Sequence, residues 1–215
     1  MQPPPVSFRP PLVLGIAGGS GSGKSTIAKS VLEALPKGSG VLLQQDHYYR
    51  SQSHLPESER ANVNYDHPDA LELDLMTQHI DALRTGHSIT RPTYDFTIHD
   101  RLKDGVHIDP AAIIVVEGIL VLADDRLRSR FEVKLYIDTD PDIRVMRRIR
   151  RDLEQRGRTF AQVRKQYYES VRPMHLAFVE PSKRFADIVI PEGGQNRVAL
   201  DFLLSFVRQR AAEGG

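Results

Sequence analysis

The residues from Gly18 to Ser25 read Gly-Gly-Ser-Gly-Ser-Gly-Lys-Ser. They put Gly18, Gly23, Lys24 and Ser25 in the fixed places of the phosphate-binding loop: a glycine, four residues, then glycine, lysine and serine or threonine. Glycine at Gly18, Gly19, Gly21 and Gly23 lets backbone N–H groups converge on phosphate oxygens, where a Cβ would block the approach. Lys24 can reach the β- and γ-phosphates, and the Ser25 hydroxyl can join the shell of a Mg²⁺ ion. Ser20, Ser22 and Thr26 complete the candidate nucleotide-binding set. The implied chemistry is the binding of a nucleoside triphosphate with Mg²⁺.

Such a loop names the donor but not the reaction. Asp46 follows the apolar run from Val41, and a carboxylate at a strand end can take the proton of an attacking hydroxyl, a role worth roughly 10²–10⁴ in rate. It can equally be a capping aspartate. Glu117 closes Ile113-Ile-Val-Val-Glu117, where an acid can hold Mg²⁺ directly or through water; a solvated strand-end glutamate is the plainer alternative. After Pro141, Ile143, Met146, Ile149 and Leu153 form one stripe and Arg144, Arg147, Arg148 and Arg151 another. Arg156 and Arg158 flank Gly157. Arginine forks bind phosphate oxygens in pairs, so this run reads as a lid, with a solvated basic face or an RNA contact as the rivals. Tyr48, Tyr49, Asp66, Tyr94, Phe96 and His99 gather in two irregular segments. Their rings could sandwich a flat base and Asp66 could bind a vicinal diol, although loop tyrosines often simply pack. The eight histidines show no metal-ligand spacing.

Buried-strand patterns at 12–17, 41–45, 113–117, 133–138 and 188–190 alternate with helical patterns at about 25–35, 68–85, 141–156, 159–178 and 196–210. This predicts an α/β fold, a parallel sheet with helices on both faces, whose ligands bind at the carboxyl ends of the strands. Segment 88–108 breaks the rhythm. Its runs 90–94 and 106–108, with Asp104-Gly105 as a turn, predict a small β-hairpin insertion suited to holding a phosphate acceptor.

A chain of 215 residues supports one domain, expected over 12–210, with the lid at about 144–160 and a loosely ordered proline-rich lead-in over 1–11. Its 29 basic and 28 acidic side chains nearly cancel, giving no global field for nucleic acid. Without cysteine, disulfides, thiolate metal sites and cysteine nucleophiles are excluded. With no membrane-length apolar run and no leader pattern, a cytoplasmic protein is expected.

Gln45-Asp-His-Tyr-Tyr49, Asn64-Tyr-Asp-His-Pro-Asp69, Tyr94-Asp-Phe-Thr-Ile-His99, Val116-Glu-Gly-Ile-Leu-Val-Leu122, Arg148-Ile-Arg-Arg-Asp-Leu-Glu-Gln-Arg-Gly-Arg158 and Arg172-Pro-Met-His-Leu-Ala-Phe-Val-Glu-Pro-Ser-Lys-Arg184 resemble the successive motifs of uridine kinases, also called uridine-cytidine kinases. The resemblance runs over about 12–204; Arg172 stands where that family often has lysine. It implies transfer of the γ-phosphoryl group of ATP or GTP to the 5′-hydroxyl of uridine or cytidine. By the same resemblance Asp46 is the general base and Lys24 its catalytic partner on the phosphates, and Ser25 and Glu117 hold Mg²⁺. Asp66, Arg148 and Arg158 hold the ribose. Tyr94, Phe96 and His99 meet the base, with Gln166 and Tyr49 lining that pocket. Arg151 and Arg156 belong to the lid near the phosphates, and Gly193-Gly-Gln-Asn196 lies close to the adenine. A cytoplasmic homotetramer inhibited by UTP and CTP is also implied. Three other readings stay open on the residues. One is a kinase for another small alcohol, such as phosphoribulose or pantothenate. A slow nucleotide-sensing switch is the second, although no Asn-Lys-x-Asp guanine motif is present. The third is an RNA-binding protein, against which the near-zero net charge stands.

Overall fold

A computed structural model describes residues 10–214. All five predicted strands form, and they lie in one parallel sheet: β1 (Leu12–Gly18), β2 (Gly40–Gln44), β7 (Ile113–Glu117), β8 (Val133–Asp138) and β9 (Ile188–Pro191), in the order β2-β7-β1-β8-β9. Side chains alternate across it, as the strand repeat requires. Val13, Ala17, Ile114, Val116 and Tyr136 cluster with Met76, Ile80 and Leu83 of helix α3 (Leu73–Arg84) on one face. Leu14, Ile16, Val115, Leu135 and Ile137 cluster on the other with Ile27 and Val31 of α1 (Lys24–Glu33), and with Leu203 and Val207 of the C-terminal helix (Arg197–Gly214). Burial on both sides explains why the strands read as continuous apolar runs rather than alternating ones. The pairing sets Gln44 beside Glu117, and Glu117 beside Ile16, so three strands end together at one edge.

Some predicted boundaries shift for local reasons. The helix expected from 68 splits into a 3₁₀ turn at Pro68–Ala70 and α3 from Leu73. Between them Leu71 is extended and bridges Tyr49, which fixes that tyrosine beside the sheet edge. Short helices α2 (Glu57–Arg60) and α4 (Asp125–Arg128) were not anticipated. Helix α5 (Pro141–Gln155) matches expectation, and α6 (Phe160–Gln166) opens a helical run that continues to residue 185 rather than 178. That run widens into π turns at Tyr167–Val171 and His175–Val179, each just ahead of a proline, Pro173 and Pro181. The wide turns accommodate rings that would otherwise clash with the carbonyl a turn earlier.

The insertion is two short antiparallel ladders: β3 (Ile89–Arg91) with β6 (Val106–Ile108), and β4 (Tyr94–Asp95) with β5 (Asp100–Arg101). The chain reverses at 96–99, not at Asp104-Gly105. Asp95 Oδ1 accepts from the Thr97 N–H at 2.7 Å and from its hydroxyl at 2.6 Å, an Asx-type turn. The lead-in expected over 1–11 lies, apart from Pro10 and Pro11, outside the described residues. Among those described, no helix is long and apolar enough to cross a membrane.

Helix α5 is turned inside out. Its Ile143, Met146 and Leu153 are exposed, whereas Arg148 and Asp152 are buried. The charged face, not the apolar stripe, looks into the molecule.

Candidate active site

The loop between β1 and α1 packs under α5. Gly21 sits at φ 80°, and a Cβ there would collide with the Arg144 carbonyl oxygen, so the position needs glycine on both counts. Arg147 donates to the Gly21 carbonyl at 3.5 Å. Lys24 is buried and donates from Nζ to the Gly19 carbonyl at 3.0 Å, curling over the loop where phosphates would lie. Burial pushes its pKa down, and the carboxylates of Glu117 and Asp46 work against that shift. Ser22 is fully buried, and its carbonyl accepts from Thr139 Oγ1 at 3.0 Å. Gly18, Gly19, Gly21, Gly23 and Thr26 contribute the loop and the helix start rather than side chains in the cleft.

Ser25 Oγ donates to Glu117 Oε1 at 2.9 Å, and Gln44 Nε2 donates to the same oxygen at 3.1 Å. The adjacent ends of β1, β2 and β7 thus assemble a hard-oxygen pair.

Asp46 enters the cleft from a turn rather than from the strand end. The strand stops at Gln44, and residues Gln45–Tyr48 form a 3₁₀ turn, so Asp46 stands two residues beyond the strand. The cause is Gln45, buried beside Gly118 and accepting the Leu120 N–H on Oε1 at 2.9 Å. Pinning Gln45 to the end of β7 turns Asp46 into the cleft. Tyr48 is fully buried and bonded to His79 Nδ1 at 3.0 Å, which makes it a core residue.

One cleft of about 360 Å³ brings the predicted groups together. Its phosphate-loop side carries Ser20, Lys24, Ser25 and Glu117; its roof carries Arg148, Arg151, Arg156 and Arg158; its hairpin side carries Tyr94, Phe96 and His99. Asp46, Tyr49, Asp66 and Gln166 also line it. Tyr49 meets Tyr65 and Tyr94 edge-on at 5.2 and 5.1 Å between ring centroids. Burial raises the pKa of the Tyr49 hydroxyl, and that of Tyr94, so the wall stays neutral. The Arg156 guanidinium lies 4.1 Å from the Phe96 ring centroid, a cation–π contact joining lid to hairpin.

Asp66 is buried and accepts from Ser170 Oγ at 3.3 Å. Burial pushes its pKa up, with Arg148 pulling the other way. Arg148 and Arg158 converge on Gln166 Oε1, both at 2.8 Å, and Arg148 also donates to Ser20 Oγ at 2.9 Å. His99 has φ 51°, a left-handed value uncommon outside glycine, and its ring stacks on Tyr65 at 5.5 Å. Burial, then Arg158 and Arg156, lower its pKa, so at neutral pH the imidazole is uncharged, with one donor and one acceptor nitrogen.

Three participants escaped the sequence reading. Tyr65 lines the cleft and stacks on His99; its place beside Asp66 in the same motif was the available signal. Asp152 is the buried acid among the lid arginines, four residues from both Arg148 and Arg156. His175 Nε2 accepts from Arg144 Nη2 at 3.1 Å, next to Gly19, and faces Glu180 at 3.4 Å. Burial and then Arg144 push its pKa to about 4. A histidine held neutral this way stabilises the fold above its ordinary pKa of 6.5, and that contribution drains away as pH falls toward about 4, because the unfolded chain takes the proton first. His47, also pushed to about 4 by burial and Arg91, acts in the same direction. The unfolding temperature should therefore drop from pH 6.5 to 4, and His175→Gln should flatten part of that drop. An unchanged slope in the variant would contradict the assignment.

The Phosphoribulokinase / Uridine kinase family model matches residues 13–199. A uridine kinase of Geobacillus kaustophilus is 52% identical over 198 residues, 92% of this chain and 94% of that one. The uridine kinase of Oceanobacillus iheyensis is 48% identical over 204 residues, 95% and 97% of the two chains. Among solved structures, a D-glycerate 3-kinase from Cryptococcus neoformans superposes with a TM-score of 0.58 at 18% identity, over 81% of this chain and 80% of that one. A protein described as a possible uridine kinase from Bacillus stearothermophilus gives 0.55 at 22%, over 86% and 91%. Likeness at those identities speaks for the fold alone. With the phosphate loop, the strand-end acid and the family match over most of its length, this chain belongs to the phosphoribulokinase/uridine kinase family.

Proposed function

We propose that this chain is a uridine/cytidine kinase, transferring the γ-phosphoryl group of ATP or GTP to the nucleoside 5′-hydroxyl to give UMP or CMP. The observation that carries the reading is a single cleft with a phosphate loop and Ser25–Glu117 on one side, an aromatic wall with Asp66 and His99 on the other, and Asp46 between them. Phosphoribulose and pantothenate have no flat ring to lay against the aromatic wall.

The residues fit Mg²⁺. Ser25 Oγ and Glu117 Oε1, paired by a hydrogen bond of 2.9 Å at the phosphate-loop side of the cleft, are hard oxygens of the kind that would hold the ion. Among the described residues no group of three His, Asp or Glu side chains could hold a metal ion, so triphosphate and water would complete the shell, as this ion prefers. Bound there, the ion would neutralise charge on the triphosphate. Asp46 orients the 5′-hydroxyl and takes its proton. Lys24 holds the β/γ-phosphates, and Arg151 and Arg156 meet the charge that develops between them. Asp66, Arg148 and Arg158 fix the ribose, and the lid excludes water when it closes.

A panel scored by ADP release tests the reading: uridine and cytidine should be the best acceptors. 2′-Deoxycytidine should be poorer, because Asp66 loses a partner. Adenosine, phosphoribulose and pantothenate should give background. Activity highest on phosphoribulose or pantothenate would contradict the proposal.

His99 should set the choice of base. His99→Phe keeps the ring and removes both nitrogens, leaving a polar group of the base without a partner. The expected result is a fall in kcat/KM of at least about tenfold for one pyrimidine, with ATP affinity unchanged. Identical use of both nucleosides would return His99 to a packing role.

A cytoplasmic homotetramer inhibited by UTP and CTP completes the proposal. An apolar groove along the sheet edge supports self-association: it is lined by Ile188 and Leu203, with Val198 and Phe202 strongly exposed beside it. Light scattering should give a mass four times 24.2 kDa, reduced by Phe202→Glu. A monomer mass for the parent chain would contradict it.

A further inference from the structure

Asp152 has no role in the mechanism above, yet the lid is built on it. Its side chain is fully buried and each oxygen serves a different pair of arginines. Oδ1 accepts from Arg151 Nε and Nη2 at 2.9 and 2.8 Å and has Arg156 Nη1 at 3.8 Å. Oδ2 has Arg158 Nη1 at 3.3 Å and Arg148 Nε at 3.6 Å. Among the described residues, none of the four arginines has another carboxylate within ion-pair distance. The chain is shaped to allow this. Gly157 takes φ 63° with open space around it, and the Arg158 N–H donates to the Asp152 carbonyl at 3.1 Å. That tight return brings Arg156 and Arg158 back to the carboxylate that already holds Arg148 and Arg151.

The two oxygens hold arginines assigned to different ends of the cleft, although Arg148 also reaches Ser20 of the phosphate loop at 2.9 Å and Arg156 also lies over the Phe96 ring. Arg151 and Arg156, on Oδ1, are the arginines assigned to the phosphates. Arg148 and Arg158, on Oδ2, are those that converge on Gln166 and flank Asp66 at the ribose end. Asp66 and Asp46 also face some of these arginines, so three carboxylates stand against four guanidinium groups and leave a positive excess that an incoming triphosphate can meet. We propose that Asp152 is a positioning residue that ties the donor-side and nucleoside-side arginines into one unit, so that disturbing it weakens both binding events. The proposal rests on the nucleoside-kinase reading of the cleft.

A residue that merely fills the core would change stability without touching both ligands. The test is equilibrium binding by calorimetry, of uridine alone and, separately, of a non-hydrolysable ATP analogue with Mg²⁺. The parent is compared with Asp152→Asn, Asp152→Glu, Arg151→Gln and Arg158→Gln, each checked by thermal unfolding. Charge-assisted bonds of this kind support changes of about tenfold. Arg151→Gln should weaken the analogue by about tenfold and leave uridine nearly unchanged, and Arg158→Gln should do the reverse. Asp152→Asn should weaken both by about tenfold. If Asp152→Asn does not fold, Asp152→Glu is read in its place. It keeps the charge but displaces it by one methylene, and should also lower both affinities. A folded Asp152 variant that shifts only one affinity, or only the unfolding temperature, overturns the proposal while leaving the reading of the cleft intact. A parent that binds the analogue but no nucleoside overturns both.

Discussion

Lys24→Ala should abolish measurable phosphoryl transfer. Lys24 is the buried cation of the phosphate loop, already bonded to the Gly19 carbonyl and facing Glu117 and Asp46. Burial strains its charged form, and a triphosphate relieves that strain by supplying anionic partners. Alanine removes the point charge at the phosphates and the buried cation that acts on Glu117 and Asp46. Loss of one preorganised group of this type costs roughly 10²–10³ in rate, and both effects act on the same step. Single-turnover transfer measured in parent and variant, with circular dichroism to check folding, tests this. Near-normal turnover in a folded variant would contradict it.

The second large effect is at Asp46. Asp46→Asn preserves shape and hydrogen bonding but cannot take a proton, so kcat should fall by roughly 10²–10⁴ while the nucleoside KM stays within a few-fold. Gln45 is anchored to the Leu120 N–H, and the 3₁₀ turn carries the next residue, Asp46, into the cleft between phosphate loop and aromatic wall. A fall below tenfold would make Asp46 a positioning residue and move the base elsewhere.

Much of this was legible in the sequence because its signals are local. The loop Gly18–Ser25 and the five apolar runs depend on backbone geometry and on burial of both sheet faces, which nearest-neighbour patterns encode well. What was not legible depends on distant partners. The turn at 96–99 is dictated by Asp95 closing on Thr97, while Asp104-Gly105 looks equally turn-like but falls in the connection between β5 and β6. The break at Leu71 exists because that residue pairs with Tyr49, 22 positions earlier. The stripe Ile143, Met146, Ile149 and Leu153, of which Ile149 alone is half-buried, gives no hint that α5 would bury its charges, since an inward apolar face is the ordinary rule. What reverses it is the cluster on Asp152, which only the fold assembles. The same holds for Tyr65, whose role comes from stacking on a residue 34 positions away.

In the proposed reaction a nucleoside 5′-hydroxyl accepts the phosphoryl group. The most direct measurement is to incubate the protein with MgATP and uridine, and to locate the product phosphorus by NMR with ADP release followed in parallel. Stoichiometric ADP and UMP bearing its phosphate at the 5′ position are expected, with ATP consumption falling to background when uridine is left out. ATP hydrolysis at the same rate with and without uridine, and no phosphorylated nucleoside, would contradict it.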